Sequence, residues 1–124
     1  MTDTKLLDSS IWLAYLFNGN HKDIIDSGEI HLLSSLSLFE IKKKLTKNSF
    51  HPTKISRSID FVKKHSLILP VTGEIAEHSV EQAVEHDLPL ADAIIYTTAL
   101  LQEAMLITLD YDFKGLKNIL IPSE

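Results

Sequence analysis

Four acidic residues stand alone inside apolar stretches, and their type and placement define the chemistry available to the chain. Asp8 is the only charge from Leu6 to Phe17 (LLDSSIWLAYLF). Glu40 ends SSLSLFE, Asp92 is the only charge in LPLADAIIYTTALL, and Asp110 closes MLITLD. An ionised carboxylate beside an apolar core is unfavourable unless it is paired or binds a cation. A fold that tolerates four of them is expected to hold metal with them. Hard divalent cations prefer carboxylate oxygen, and Mg²⁺ keeps several of its waters. A bound metal lowers the pKa of water to give a hydroxide that attacks phosphorus. A second ion, roughly 3.5–4 Å away, can stabilise the leaving oxygen. Such a centre needs no protein nucleophile.

Each acid also has a purely structural reading. Asp8 could cap the helix that follows it. Glu40 could pair with Lys43 or Lys44 at helical spacing, a surface effect of ~0.3–0.5 kcal/mol. Asp92 could favour a helix N-terminus by ~0.3–1 kcal/mol, but that leaves a charge among Ala91, Ala93, Ile94 and Ile95 unexplained. Asp110 could be a turn residue, with Asp112 as a competing fifth ligand; Asp110 is preferred because it directly follows an apolar strand. Ser9, Ser10 and Thr108 read as caps or local hydrogen-bond formers. None of the six His lies in an apolar motif, so all read as solvated and a Ser–His–Asp triad has no support.

The elements that must position these acids alternate. Strands are expected at Lys5–Asp8, Ile30–Leu33, Leu67–Val71, Met105–Leu109 and, edge-like, Asn118–Ile121. Between them fall helices over Ile11–Asn18, capped by Ser9 or Ser10 and ended by Gly19, and over Asp23–Ser27, stopped by Gly28. A helix from Ser34 or Ser35 to about Asn48 places Leu38, Ile41 and Leu45 at core spacing. The next begins at Pro52-Thr53 with Ile55, Ile59 and Val62 as its apolar stripe. Thr72 caps a helix from Gly73 to about Asp87, and Pro89 suits the first turn of another reaching about Glu103. Near-continuous apolar strands alternating with helices imply a parallel sheet covered on both faces. In such sheets sites form outside the carboxyl ends of the strands, where Asp8 and Asp110 fall. The path that would bring Asp92 there does not follow from this pattern.

At 124 residues, 44% apolar and 23% charged, the chain is expected to be one domain, residues 1–124, with one core. It has no Cys, hence no disulfide and no thiolate ligand, which fits a reducing cytoplasm. The opening MTDTK lacks the pattern of a signal peptide, and the apolar runs are too short to span a membrane. The net charge of −5 hides an asymmetry: Lys42–His65 holds eight Lys/Arg against Asp60 alone, net +7, while the remainder nets −12. Positive charge gathered in one segment can steer a polyanion. Ser37, Lys43, Lys44 and Lys47 fall on roughly the Glu40 helix face by three-and-four spacing. Lysines beside a metal cluster would hold phosphates; otherwise they only keep that helix soluble.

The series LLDSSIWLAYL, SSLSLFEIKKKL, LPLADAIIYTTAL and LITLDYDF resembles the PIN domain, and most of all the short VapC-type toxins of toxin–antitoxin pairs. The resemblance runs from the first strand to beyond Asp112. It implies an α/β/α sandwich with a parallel sheet of about five strands in order 3-2-1-4-5. It implies Mg²⁺- or Mn²⁺-dependent cleavage of RNA phosphodiesters, with Asp8, Glu40, Asp92 and Asp110 at the acidic positions. Ser9 and Thr108 match recurring hydroxyls that support them. The Ile11–Phe17 helix carries more apolar surface than one face can bury. With the resemblance, this implies a homodimer and an antitoxin-binding groove. A solitary PIN nuclease of RNA processing and a catalytically silent PIN-like binding module are the alternatives, although a silent module would typically have lost an acid. A phosphoacceptor receiver domain has similar length but needs an Asp ending its third strand, and LILPV offers none.

Overall fold

The adjacent pair Leu6 and Leu7 illustrates how the sequence builds both layers of the core at once. Leu6 packs with Leu32 and Leu106 on one side of the sheet, while Leu7 packs with Leu33 and Ile107 on the other. Successive strand side chains point to opposite faces, so a strand covered on both sides must be apolar at every position. The structure, a computed structural model, describes residues 4–123. Residues 1–3 of the opening MTDTK, and Glu124, lie outside them.

The elements run β1 (Lys5–Leu7), α1 (Ser9–Asn18), α2 (Lys22–Ile25), β2 (His31–Ser34), α3 (Ser35–Lys47), α4 (Pro52–Lys64), β3 (Ser66–Leu69), α5 (Gly73–His86), α6 (Leu90–Leu101), β4 (Met105–Ile107), a single 3-10 turn (Tyr111–Phe113) and β5 (Ile119–Leu120). All strand pairs are parallel, in order β3-β2-β1-β4-β5. Residues of α1, α3 and α4 pack on one face, and those of α5 and α6 on the other. This is the α/β/α sandwich and strand order that the resemblance implied.

Local chemistry sets most helix ends. Ser34 Oγ accepts the Leu36 N–H, His51 Nδ1 accepts that of Thr53, and Thr72 Oγ1 accepts that of Ile75. Gly19, at φ 71, ends α1 in the left-handed conformation open to glycine. In α6 every residue from Ala93 to Ala99 is buried, so a helix apolar on all sides is here an interior one.

Several boundaries differ from expectation. Ser9 and Ser10 do not cap α1; Asp8 is the N-cap residue and its carboxylate makes no capping bond, being engaged elsewhere. Pro89 is the N-cap of α6 rather than part of its first turn. Strand β4 ends at Ile107, so Asp110 follows two further residues, the second of them in a bend, instead of the strand itself. Ser37 is fully buried, not on the lysine face, because positions 37, 41 and 45 form one core-facing stripe. His31 is not a surface histidine: it is 4% exposed, with Nε2 3.5 Å from Glu29 Oε1 and its pKa lowered by burial. The rings of α1 find partners within the chain. Trp12 and Tyr15 pack against Phe61 of α4, the latter stacked at 5.7 Å, and Phe17 meets Phe50 edge-on at 5.2 Å. Only Ile11 and Trp12 of α1 are buried; Leu13, Ala14, Tyr15 and Leu16 keep part of their surface in solvent and Phe17 is 37% exposed, so the helix is apolar beyond the face it buries.

Candidate metal centre at the carboxyl edge of the sheet

Asp8 leaves the central strand at the edge where the chain turns into α1. Its N–H bonds the Ile107 carbonyl at 3.0 Å, extending the β1–β4 ladder by one step and bringing it beside Thr108. Asp8 is 8% exposed. Its Oδ2 accepts from Ser10 Oγ at 2.9 Å and Thr108 Oγ1 at 2.8 Å. Both hydroxyls also accept: Ser10 Oγ from the Leu109 N–H and Thr108 Oγ1 from the Asp110 N–H, each at 3.0 Å. One carboxylate oxygen therefore fixes the segment carrying Asp110. Burial raises the Asp8 pKa, opposed by the bonds from Thr108 and Ser10.

Glu40 reaches the same edge from α3, where its Oε1 accepts Ser9 Oγ at 3.2 Å. Consecutive helix residues project about 100° apart, so Ser9 and Ser10 support different acids. Ser10 is the residue whose supporting role sequence reasoning missed. Partial burial and then the Asp8 charge raise the Glu40 pKa, while Ser9 and Lys43 lower it.

Asp92 arrives by topology. A helix connecting parallel strands runs antiparallel to them, so the first turn of α6 lies at their carboxyl edge. Carboxylate oxygens of Asp92, Asp110 and Asp112 lie within 4.8 Å of one another. Asp110 Oδ1 accepts the Asp112 N–H at 2.9 Å, starting the 3-10 turn that presents both acids. The tightest grouping thus includes Asp112, while Asp8 and Glu40 flank it. Burial, followed by the charges of Asp110, Asp8, Asp112 and Glu40, pushes the Asp92 pKa up to about 7.

Two ionised carboxylates at such a separation repel by about 3 kcal/mol at an effective dielectric constant near 20. The α6 N-terminus returns only ~0.3–1 kcal/mol to Asp92. Among the described residues no Lys, Arg or His forms a salt bridge with any of the five acids, Glu40 with Lys43 or Lys44 included. An all-oxygen donor set, mutually repelling and in salt-bridge contact with no protein cation, fits a hard divalent ion such as Mg²⁺ or Mn²⁺. Beside it, Ser9, Glu40, Lys43, Lys44, Lys47 and Ala91 line a cleft of about 400 Å³.

Comparison with known proteins places the fold. The family model of the PIN domain matches residues 5–118. No curated protein matches significantly by sequence. Among solved structures, a chain of a toxin–antitoxin complex from Klebsiella pneumoniae superposes with a TM-score of 0.82 at 28% identity, covering 98% of this chain and 99% of that one. A chain of DNA-bound VapBC from Salmonella typhimurium gives 0.79 at 16% identity, covering 96% of each. VapC20 of Mycobacterium tuberculosis, a sarcin-ricin loop cleaving toxin, gives 0.68 at 18% identity over 91% of this chain and 92% of its own. The chain belongs to the PIN domain family.

Proposed function

We propose that this chain, as a single 124-residue domain, is a divalent-metal-dependent endoribonuclease and the toxin of a toxin–antitoxin pair. The observation that carries the reading is the cluster of Asp92, Asp110 and Asp112, with the charges of Asp8 and Glu40 also acting on Asp92 and no salt bridge among the described residues to any of the five. Asp92, Asp110 and Asp112 would hold Mg²⁺ or Mn²⁺, with Asp8 and Glu40 completing the ligand field. When bound, such an ion supplies activated water and neutralises charge on the phosphate. Ser10 and Thr108 orient Asp8 and oppose the rise in its pKa caused by burial, and Ser9 does the same for Glu40. Lys43, Lys44 and Lys47, along the adjoining cleft, would bind RNA phosphates and set the register of the strand.

The toxin assignment draws on end-to-end similarity to toxin–antitoxin structures. It brings a small antitoxin as partner and a cytoplasmic setting. Among the described residues no helix is long and apolar enough to cross a membrane. A homodimer belongs to the same proposal; a monomer by light scattering at high micromolar concentration would remove it. The test of the function is incubation of the purified chain with total RNA, with Mg²⁺, Mn²⁺ or EDTA. Cleavage confined to the metal-containing samples is expected, and RNA left intact with either metal would overturn the reading.

A further inference from the structure

Most aromatic rings of this chain pack against another ring. Among the described residues the two that do not are Phe39 and Tyr111, and they are also the most exposed, at 62% and 70%. Leaving a ring in water forgoes roughly 2 kcal/mol of burial, so the position of these two is informative. Phe39 precedes Glu40 in α3. Tyr111 lies between Asp110 and Asp112. In the strand order β2-β1-β4, the element after β2 carries Phe39, the segment after β4 carries Tyr111, and Asp8 after β1 lies between them. The rings therefore stand on opposite sides of the acidic centre. Phe39 lines the cleft of about 400 Å³ that holds Glu40 and a second of about 510 Å³, and Tyr111 lines one of about 420 Å³ with Lys114, next to the acids in the chain but lined by none of them. Each ring has a lysine above it: Lys43 Nζ is 5.9 Å from the Phe39 centroid and Lys114 Nζ 6.0 Å from that of Tyr111.

An exposed ring joined to a cation is the unit by which proteins hold single-stranded nucleic acid: the base stacks on the ring and the phosphate meets the charge. We infer that Phe39 and Tyr111 are the stacking platforms that hold the bases of a single-stranded RNA on either side of the scissile phosphate. The inference rests on the nuclease reading and deepens it. In a duplex the base faces are already stacked on their neighbours, so neither platform has a face to bind. The lysines position phosphates without regard to strandedness; the rings supply the discrimination.

The test measures binding of an unstructured mixed-sequence oligoribonucleotide, and of the same sequence as a duplex, in an Asp92→Asn background that prevents cleavage. Phe39→Ala and Tyr111→Ala are each expected to weaken single-strand binding at least about fivefold, the low end for losing one stacked base, with duplex binding and the salt dependence unchanged. Tyr111→Phe keeps the ring and is expected to keep the affinity. Circular dichroism of these surface variants checks that the fold is retained. Ala variants that bind single strands as tightly as their parent would overturn the stacking inference alone, provided the otherwise wild-type chain cleaves RNA. A surface that seats a protein instead of RNA would give that same result. If the wild-type chain neither binds nor cleaves single-stranded RNA, the nuclease reading and the inference fall together.

Discussion

Replacing Asp92 by Asn should stabilise the metal-free protein while abolishing its response to metal. The Asp92 carboxyl has a pKa of 3.8 in the unfolded chain and about 7 in the fold. The native state therefore keeps a proton that the unfolded state has released. The stability contributed by this group is full below about pH 4 and is lost as pH rises through about 7. At full strength such a difference is worth about 4 kcal/mol. The site is half open to solvent, and screening reduces this to ~1–2 kcal/mol. Asn resembles the neutral acid and does not titrate, so Asp92→Asn should exceed the wild type by that amount at pH 8 in EDTA. The gap should close as pH falls toward 4. For 124 residues, 1–2 kcal/mol corresponds to about 4–8 °C in Tm. Adding Mn²⁺ or Mg²⁺ should reverse the order. An ion at a hundred times its Kd stabilises the wild type by about 2.7 kcal/mol, and the variant should gain far less. Differential scanning fluorimetry across pH, with EDTA or metal, reads both effects. A variant less stable than the wild type at pH 8 in EDTA, or equally stabilised by metal, would refute the reasoning.

Ser10→Ala and Thr108→Ala each remove a hydroxyl donor from buried Asp8. Urea titrations should show losses of about 1.5–3 kcal/mol for each, and metal affinity by calorimetry should fall as Asp8 and the Asp110 segment loosen. Asp110→Asn should lose more activity than Asp112→Asn, because Asp112 is exposed, while Asp110 is partly buried, is bonded to Thr108 through its N–H and holds the Asp112 N–H with its carboxylate. Reversed rates in a cleavage assay would make Asp112 the principal ligand of the two. Replacing Lys43, Lys44 and Lys47 by Ala in an Asp8→Asn background should flatten the logarithmic salt dependence of RNA binding by ~0.7 per lost phosphate contact. An unchanged slope would reduce these lysines to a solvated face.

The acids were legible because charge against an apolar background is a strong contrast, and because strand ends fall where the apolar run stops. Asp92 was the hard case. Its motif stood out, yet its location follows only once α6 is recognised as a crossover antiparallel to the strands. Ser37 was misread because a small polar residue says little by type; its spacing to Ile41 and Leu45, both fully buried, was the better guide. Ser9 and Ser10 carried the signature of helix caps. They hold two different acids instead, a distinction set by tertiary contacts 31 and 98 to 99 residues away. The 3-10 turn of Tyr111–Phe113 depends on Asp110 bonding the Asp112 N–H. Sequence offered both acids but no way to see that one cradles the other. His31 shows the limit of reading histidines by polarity: the strand begins at His31, after an Ile30 that is 62% exposed, and all four of its residues are buried.

The central claim, that these acids support hydrolysis of RNA by water at a divalent centre, is tested most directly by the ends of the cleavage products. An end-mapped RNA incubated with the wild-type chain and Mg²⁺ or Mn²⁺ should carry linear ends free of 2′,3′-cyclic phosphate. Cleavage should vanish in EDTA and in Asp92→Asn. Cyclic phosphate ends would instead mark attack by the RNA's own 2′-hydroxyl. That result, or full cleavage by Asp92→Asn, would contradict the account.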